Sequence, residues 1–137
     1  MFFLKKAYCR VFQIGFRAVL PVLPYREPEI IRSCADLGPV LAKEHARTVL
    51  VVTDRGIVEN GLTAPLEEAL RDAGVNYAIY DKTQPNPTVD QVEEALELYH
   101  QRQCTAIIAI GGGSSMDCAK AVGARVAYPN KPLSRMK

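Results

Sequence analysis

Between Thr48 and Val126 the chain alternates short, unbroken apolar runs with longer stretches whose apolar residues recur at helical spacing. That alternation marks βαβ units wound about a parallel sheet, and nothing else in the sequence constrains the fold as strongly. Val49-Leu50-Val51-Val52-Thr53 is continuous and β-branched, as a strand buried on both faces requires. Val75 to Tyr80 and Ala106 to Ile110 read as the next two strands. Between the first two, Thr63 stands at a helix cap and Pro65 in its first turn. Leu66, Ala69, Leu70 and Ala73 face inward there, and Gly74 stops the helix. Between the second and third, Thr88 and Gln91 have capping-box spacing, and Val92, Ala95, Leu96 and Tyr99 form the apolar stripe of a helix reaching about Arg102. After the third strand, Gly111-Gly112-Gly113-Ser114-Ser115 opens a last helix through Ala119, Val122 and Val126. The class is therefore α/β, with right-handed crossovers.

Upstream, Glu29 to Ser33 reads as a further strand, and Asp36 or Gly38-Pro39 begins a helix running to about His45. Residues 1–27 form a basic, apolar extension, of which 1–23 reads as a helix with a broad apolar surface. Lys5, Lys6, Arg10, Gln13 and Arg17 interrupt it before a membrane-spanning run accumulates. Packing against a neighbour or partner subunit is the expectation, and no membrane is expected as a partner. Charge is sorted along the chain: residues 1–26 and 118–137 each carry five basic groups and no acid, so all 15 acids lie between them. Aromatic residues are not interleaved with the basic ends, which argues against nucleic acid. The 4 cysteines, at positions 9, 34, 104 and 118, show no Cys-x-x-Cys spacing and no secretory context, so reduced thiols in a cytoplasmic protein are expected.

The sharpest local feature is Gly111-Gly112-Gly113-Ser114 between a buried strand and a helix. Glycines there let the backbone approach a ligand, while the helix N-terminus offers unpaired N–H groups to an anion such as pyrophosphate. An ordinary tight strand-to-helix turn is the competing reading. The loop is no Walker A motif, since Gly-Lys-Ser/Thr is missing. It is no Gly-x-Gly-x-x-Gly fingerprint either, since Met116 stands where the third glycine belongs. Asp54 lies at the carboxyl end of the first strand, where open α/β sheets bind ligands. It reads either as a ribose acceptor favouring NAD over NADP or as a turn-forming Asp before Gly56. Asp117 is either a helix-dipole acid or a group facing the cofactor, and Lys120 is placed to pair with it. Asn86, in Pro85-Asn86-Pro87-Thr88, belongs to a third loop at the same edge. His45 and His100 have no ligand-spaced neighbours, Cys104 and Cys118 read as buried structural thiols, and no residue is assigned a catalytic or metal-ligating role.

Gly111-Gly112-Gly113-Ser114-Ser115-Met116-Asp117-Cys118-Ala119-Lys120, preceded by Val51-Val52-Thr53-Asp54-Arg55-Gly56 and Pro85-Asn86-Pro87-Thr88, closely resembles the N-terminal part of the iron-containing (group III) alcohol dehydrogenases. The likeness runs from about Pro28 to Lys120. It implies a Rossmann-like dinucleotide-binding domain over 28–137, incomplete at its C-terminus. A helical domain holding Fe²⁺ or Zn²⁺ would lie in a parent about three times as long, outside this chain. By the same resemblance, Asp54 takes the adenosine ribose of NAD, NADP being disfavoured. Gly111, Gly112, Gly113 and Ser114 line the pyrophosphate and nicotinamide ribose, Asp117 and Lys120 stand nearby, and Asn86 lies along the cleft. The implied parent is a homo-oligomer that interconverts an alcohol and an aldehyde or ketone by hydride transfer, its metal acting as a Lewis acid. The truncated chain alone is expected to be inactive. Two alternatives stand beside this: a relative of the glycerol dehydrogenase, maleylacetate reductase and dehydroquinate synthase kind, and a non-catalytic nucleotide-binding or interaction module.

Overall fold

The computed structural model describes residues 10–17 and 28–135. The chain divides into two units, Met1–Ile30 and Ile31–Lys137. In the first, residues 10–17 are helical. Phe12 and Phe16, one turn apart, stack with ring centroids 6.3 Å apart. The rest of the helix expected over 1–23 lies outside the described residues.

The second unit is organised by β1 (Thr48–Val52), in which Val49, Leu50, Val51 and Val52 are all fully buried. β1 is the middle strand of a parallel three-stranded sheet with order β2-β1-β3, where β2 is Asn76–Tyr80 and β3 is Ala106–Ala109. Val51 pairs with Ile79 on one side and Ile108 on the other. Because side chains alternate along a strand, β1 feeds two cores. Leu50 and Val52 pack with Val92, Ala95 and Leu96 of α4 (Val89–Gln101) and with Cys118, Ala119 and Val122 of α5 (Gly113–Ala127). Val49 and Val51 pack with Leu41 of α1 (Leu37–Lys43) and with Leu66 and Leu70 of α3 (Ala64–Asp72). Helices thus cover both faces, the arrangement that unbroken apolar strands demand.

Four local expectations change. Ala73, expected to face inward, is exposed at the end of α3, where only Leu66 and Leu70 are buried. The segment 29–33 is not a strand: Ile30 is exposed, the chain is irregular to 31 and bends at 32–33. The Ser33 hydroxyl accepts from the Ala35 N–H and caps the 3-10 turn Cys34–Asp36, which delivers the chain into α1. A short helix, α2 (Arg55–Glu59), occupies what reads in sequence as a turn around Gly56. Thr63 is the cap position of α3, but its hydroxyl donates to Glu67 instead of accepting a backbone N–H. Elsewhere the punctuation holds, and Thr88 and Gln91 form a reciprocal capping box on α4. Cys34, Cys104 and Cys118 are free thiols, and burial pushes those of Cys104 and Cys118 above their ordinary pKa. Among the described residues no helix is long and apolar enough to cross a membrane.

Candidate functional site

α3, which follows β1 by way of the short α2, and α5, which follows β3, lie on opposite faces of the sheet, although the two strands are neighbours. A sheet of this kind opens a crevice between the carboxyl ends of those strands, because their loops leave in opposite directions. Asp54 sits on the β1 side of that crevice and the triple glycine on the β3 side.

The three glycines are there for different reasons. Gly111 has φ +130°, which side-chain-bearing residues rarely adopt, and a Cβ on it would lie 2.9 Å from Ser115 Oγ and 3.1 Å from Asp54 Oδ2. The fold itself therefore requires Gly111. Gly112, the N-cap of α5, has φ −79° and a Cβ there would meet nothing, and Gly113 likewise faces open space. Packing within the chain explains neither, and only the N-cap position favours glycine over alanine at 112. No side chain caps α5, so its first-turn N–H groups and its positive dipole end face the same open space.

Asp54 closes the other wall. Its extended backbone leaves β1 and its Oδ1 accepts from the Ile57 N–H at 3.1 Å, capping α2. Its Oδ2 lies 3.5 Å from the Ser115 hydroxyl in the first turn of α5. A bridge to Lys82 joins it to the chain beyond β2. The Lys82 ammonium is turned away and pairs with Glu94 on α4. That bond raises the lysine's pKa and lowers the carboxyl's. Glu94 also accepts from the buried Tyr80 hydroxyl at 3.1 Å; burial first, and this bond second, hold the phenol well above its usual pKa. At the same sheet edge the Thr53 hydroxyl is buried without a hydrogen-bond partner, an orphan of the kind a water or ligand satisfies, while the buried Thr83 hydroxyl faces the Cys118 thiol.

The other sequence-identified residues are placed less tightly. Asn86 is exposed with φ +58°, a conformation that asparagine tolerates, and no hydrogen bond links it to Asp54 or to the glycine loop. Asp117 and Lys120 pair with each other across 3.6 Å on the exposed side of α5, a contact worth little in water. Ser114 is half-buried at the helix start. The residue that the motif reading passes over is Ser115, which is buried. Its position three and four residues before Cys118 and Ala119, on the buried stripe that continues to Val122, is the signal that would have found it. Among the described residues no three His, Cys, Asp or Glu side chains converge, so they offer no donor set for a metal ion. A hollow of about 470 Å³ lined by Ser33, Cys34, Gly38, Glu68 and Asp72 lies beside α3, away from the carboxyl edge. Its lining brings two carboxylates and no basic group, and it stands away from the switch point, so the crevice is the better candidate.

The model of the iron-containing alcohol dehydrogenases matches residues 31–136. The chain belongs to this family. The choline dehydrogenase of Bacillus subtilis (strain 168) is 43% identical over 96 residues, which is 70% of this chain and 24% of that protein. The NAD-dependent methanol dehydrogenase of Bacillus methanolicus is 40% identical over 88 residues, 64% of this chain and 23% of the relative. A solved 1,3-propanediol oxidoreductase superposes with a TM-score of 0.67 at 32% identity, covering 69% of this chain and 25% of that one. The chain thus spans about a quarter of the length of the relatives it matches, and its three-stranded sheet corresponds to part of their α/β N-terminal region.

Proposed function

We propose that this chain is the dinucleotide-binding part of an NAD-linked alcohol dehydrogenase, with the pyrophosphate at the start of α5 and the adenosine ribose on Asp54. The observation that carries the reading is the empty space over Gly112 and Gly113. Two glycines whose missing side chains no packing within the chain requires lie at the end of α5 that no side chain caps, a half-buried carboxylate standing across from them. That combination suits a ligand with an anionic centre and a neutral vicinal diol.

In this reading each group has one task. The N–H groups of Gly113, Ser114 and Ser115 hold phosphate oxygens without a counter-cation. Asp54, fixed by its cap bond, accepts the ribose hydroxyls and repels a 2′-phosphate, so NAD is preferred over NADP. Asn86 borders the cleft, and Asp117 with Lys120 flanks it one turn along α5. Bound NAD would supply hydride transfer to or from an alcohol carbon. The described residues offer no metal site, so no step through Fe²⁺ or Zn²⁺ is assigned to them. The alcohol or aldehyde substrate, the metal and homo-oligomerisation are proposed for the longer protein of which the relatives are examples, and a cytoplasmic location is proposed with them.

Calorimetric titration with NAD⁺ and with NADP⁺, on the chain and on Asp54→Asn, tests this. Asn caps a helix as well as Asp does, so the variant should fold equally well yet lose most of the preference for NAD⁺. No binding of either dinucleotide at millimolar concentration, or a preference that survives in Asp54→Asn, would overturn the proposal.

A further inference from the structure

We infer that Ser115 is a positioning residue for dinucleotide choice, fixing the Asp54 carboxylate so that it accepts a ribose diol and excludes a 2′-phosphate; the inference rests on the cofactor reading above.

The side chain is 1% exposed, so water cannot satisfy its hydroxyl. A serine within a helix commonly donates back to the carbonyl four residues earlier, here that of Gly111. Instead its hydrogen-bond partner is Asp54 Oδ2, 61 residues away in sequence. Gly111 lies directly over the pair, since a Cβ there would come within 3.1 Å of Asp54 Oδ2 and 2.9 Å of Ser115 Oγ. Three residues from the two sides of the crevice thus meet: a glycine that leaves room, a buried hydroxyl that donates across it, and a carboxylate that receives it.

The consequence concerns orientation. Asp54 Oδ1 is held by the Ile57 N–H and Oδ2 by Ser115, so rotation about the Cβ–Cγ bond is restrained at both oxygens. Each oxygen keeps a free lone pair, which is what a vicinal diol needs from a carboxylate in a set plane. A carboxylate that cannot turn aside also meets a 2′-phosphate with its charge undiminished. At 3.5 Å the contact is long for O–H···O, so its effect should be modest and specific to this discrimination.

The test compares dissociation constants for NAD⁺ and NADP⁺ in four proteins: the unsubstituted chain, Ser115→Ala, Asp54→Asn and the double variant, with thermal melts of each. Ser115→Ala should weaken NAD⁺ binding about three- to tenfold and leave NADP⁺ binding unchanged or improved, at an unaltered melting temperature. In the Asp54→Asn background the same change should do nothing further to the ratio, because the carboxylate whose orientation sets the discrimination is already gone. Equal weakening of both dinucleotides would make Ser115 a support of the glycine loop and overturn the inference. So would an unchanged ratio, or an equal effect in the Asp54→Asn background. If the unsubstituted chain binds neither dinucleotide, the cofactor reading itself fails; binding by the unsubstituted chain with no change in Ser115→Ala overturns only the role of Ser115.

Discussion

Alanine at each of the three glycines separates what the fold needs from what a ligand needs. Gly111→Ala places a side-chain-bearing residue at φ +130°, with its Cβ 2.9 Å from Ser115 Oγ and 3.1 Å from Asp54 Oδ2. The backbone strain costs about 1–3 kcal/mol, and overpacking adds a comparable amount unless Ser115 swings away and gives up Asp54. A loss of about 2–4 kcal/mol lowers the melting temperature of a domain this size by roughly 10 °C or more. At Gly113 the backbone is helical and the space open, so alanine should raise stability by about 0.5–1 kcal/mol. At Gly112 the weaker capping by alanine and its lower unfolded-state entropy nearly cancel. Binding should run in the opposite sense. A methyl group at 112 or 113 stands where the dinucleotide backbone would lie, and a tenfold weakening corresponds to about 1.4 kcal/mol. Scanning calorimetry and NAD⁺ titration on the three variants read both quantities. Stable Gly112→Ala and Gly113→Ala proteins that bind NAD⁺ within about twofold of the parent would refute the assignment of that space to a ligand. An undiminished melting temperature for Gly111→Ala would refute the steric argument.

The Arg125 guanidinium, on a side chain only 15% exposed, bonds Glu93 through Nε and Nη2 and donates through Nη1 to the carbonyls of Tyr128, Pro129 and Lys131. Arg125→Met should cost about 2–3 kcal/mol in chemical denaturation, whereas Glu93→Gln, which leaves the carbonyl bonds in place, should cost less than about 1 kcal/mol; equal effects would show that the ion pair alone matters. The Glu67 carboxyl is held below its ordinary pKa of 4.5, first by the Tyr77 hydroxyl and then by that of Thr63. Its contribution to stability is therefore present at neutral pH and fades as pH falls through the depressed folded-state value. Tyr77→Phe should shrink the difference in stability between about pH 7 and about pH 3, and an unchanged difference in urea melts would discard the coupling.

The sheet and its helices were legible because local and tertiary preferences agree: β1 has no polar residue between Val49 and Val52, and Thr88 and Gln91 stand at capping-box spacing ahead of an apolar stripe. The failures fall where a short segment has two uses. Glu29 to Ser33 holds the β-branched pair Ile30-Ile31, but a strand needs a partner, and Ser33 finds its role in capping the next turn. Thr63 looks like a capping residue, yet Glu67 one turn on takes its hydroxyl and then the Tyr77 phenol, a contact from β2 that no local pattern announces. The placement of Asp54 and the glycines at one sheet edge was legible, but the internal geometry of the candidate site was not, because the Ser115–Asp54 contact joins residues 61 positions apart.

That contact also dissolves an apparent choice. From sequence, Asp54 is either a turn-forming aspartate or a ribose acceptor, as though one role excluded the other. In the proposed reading the first role is the means to the second. Capping Ile57 holds Oδ1, the buried serine holds Oδ2, and both restraints act on a carboxylate at the topological switch point of the sheet. A residue with only a turn to make would need one oxygen and no particular neighbour across the crevice. Gly111, whose missing Cβ leaves room for the second oxygen and its serine, shows that the chain has kept open more space than the turn requires.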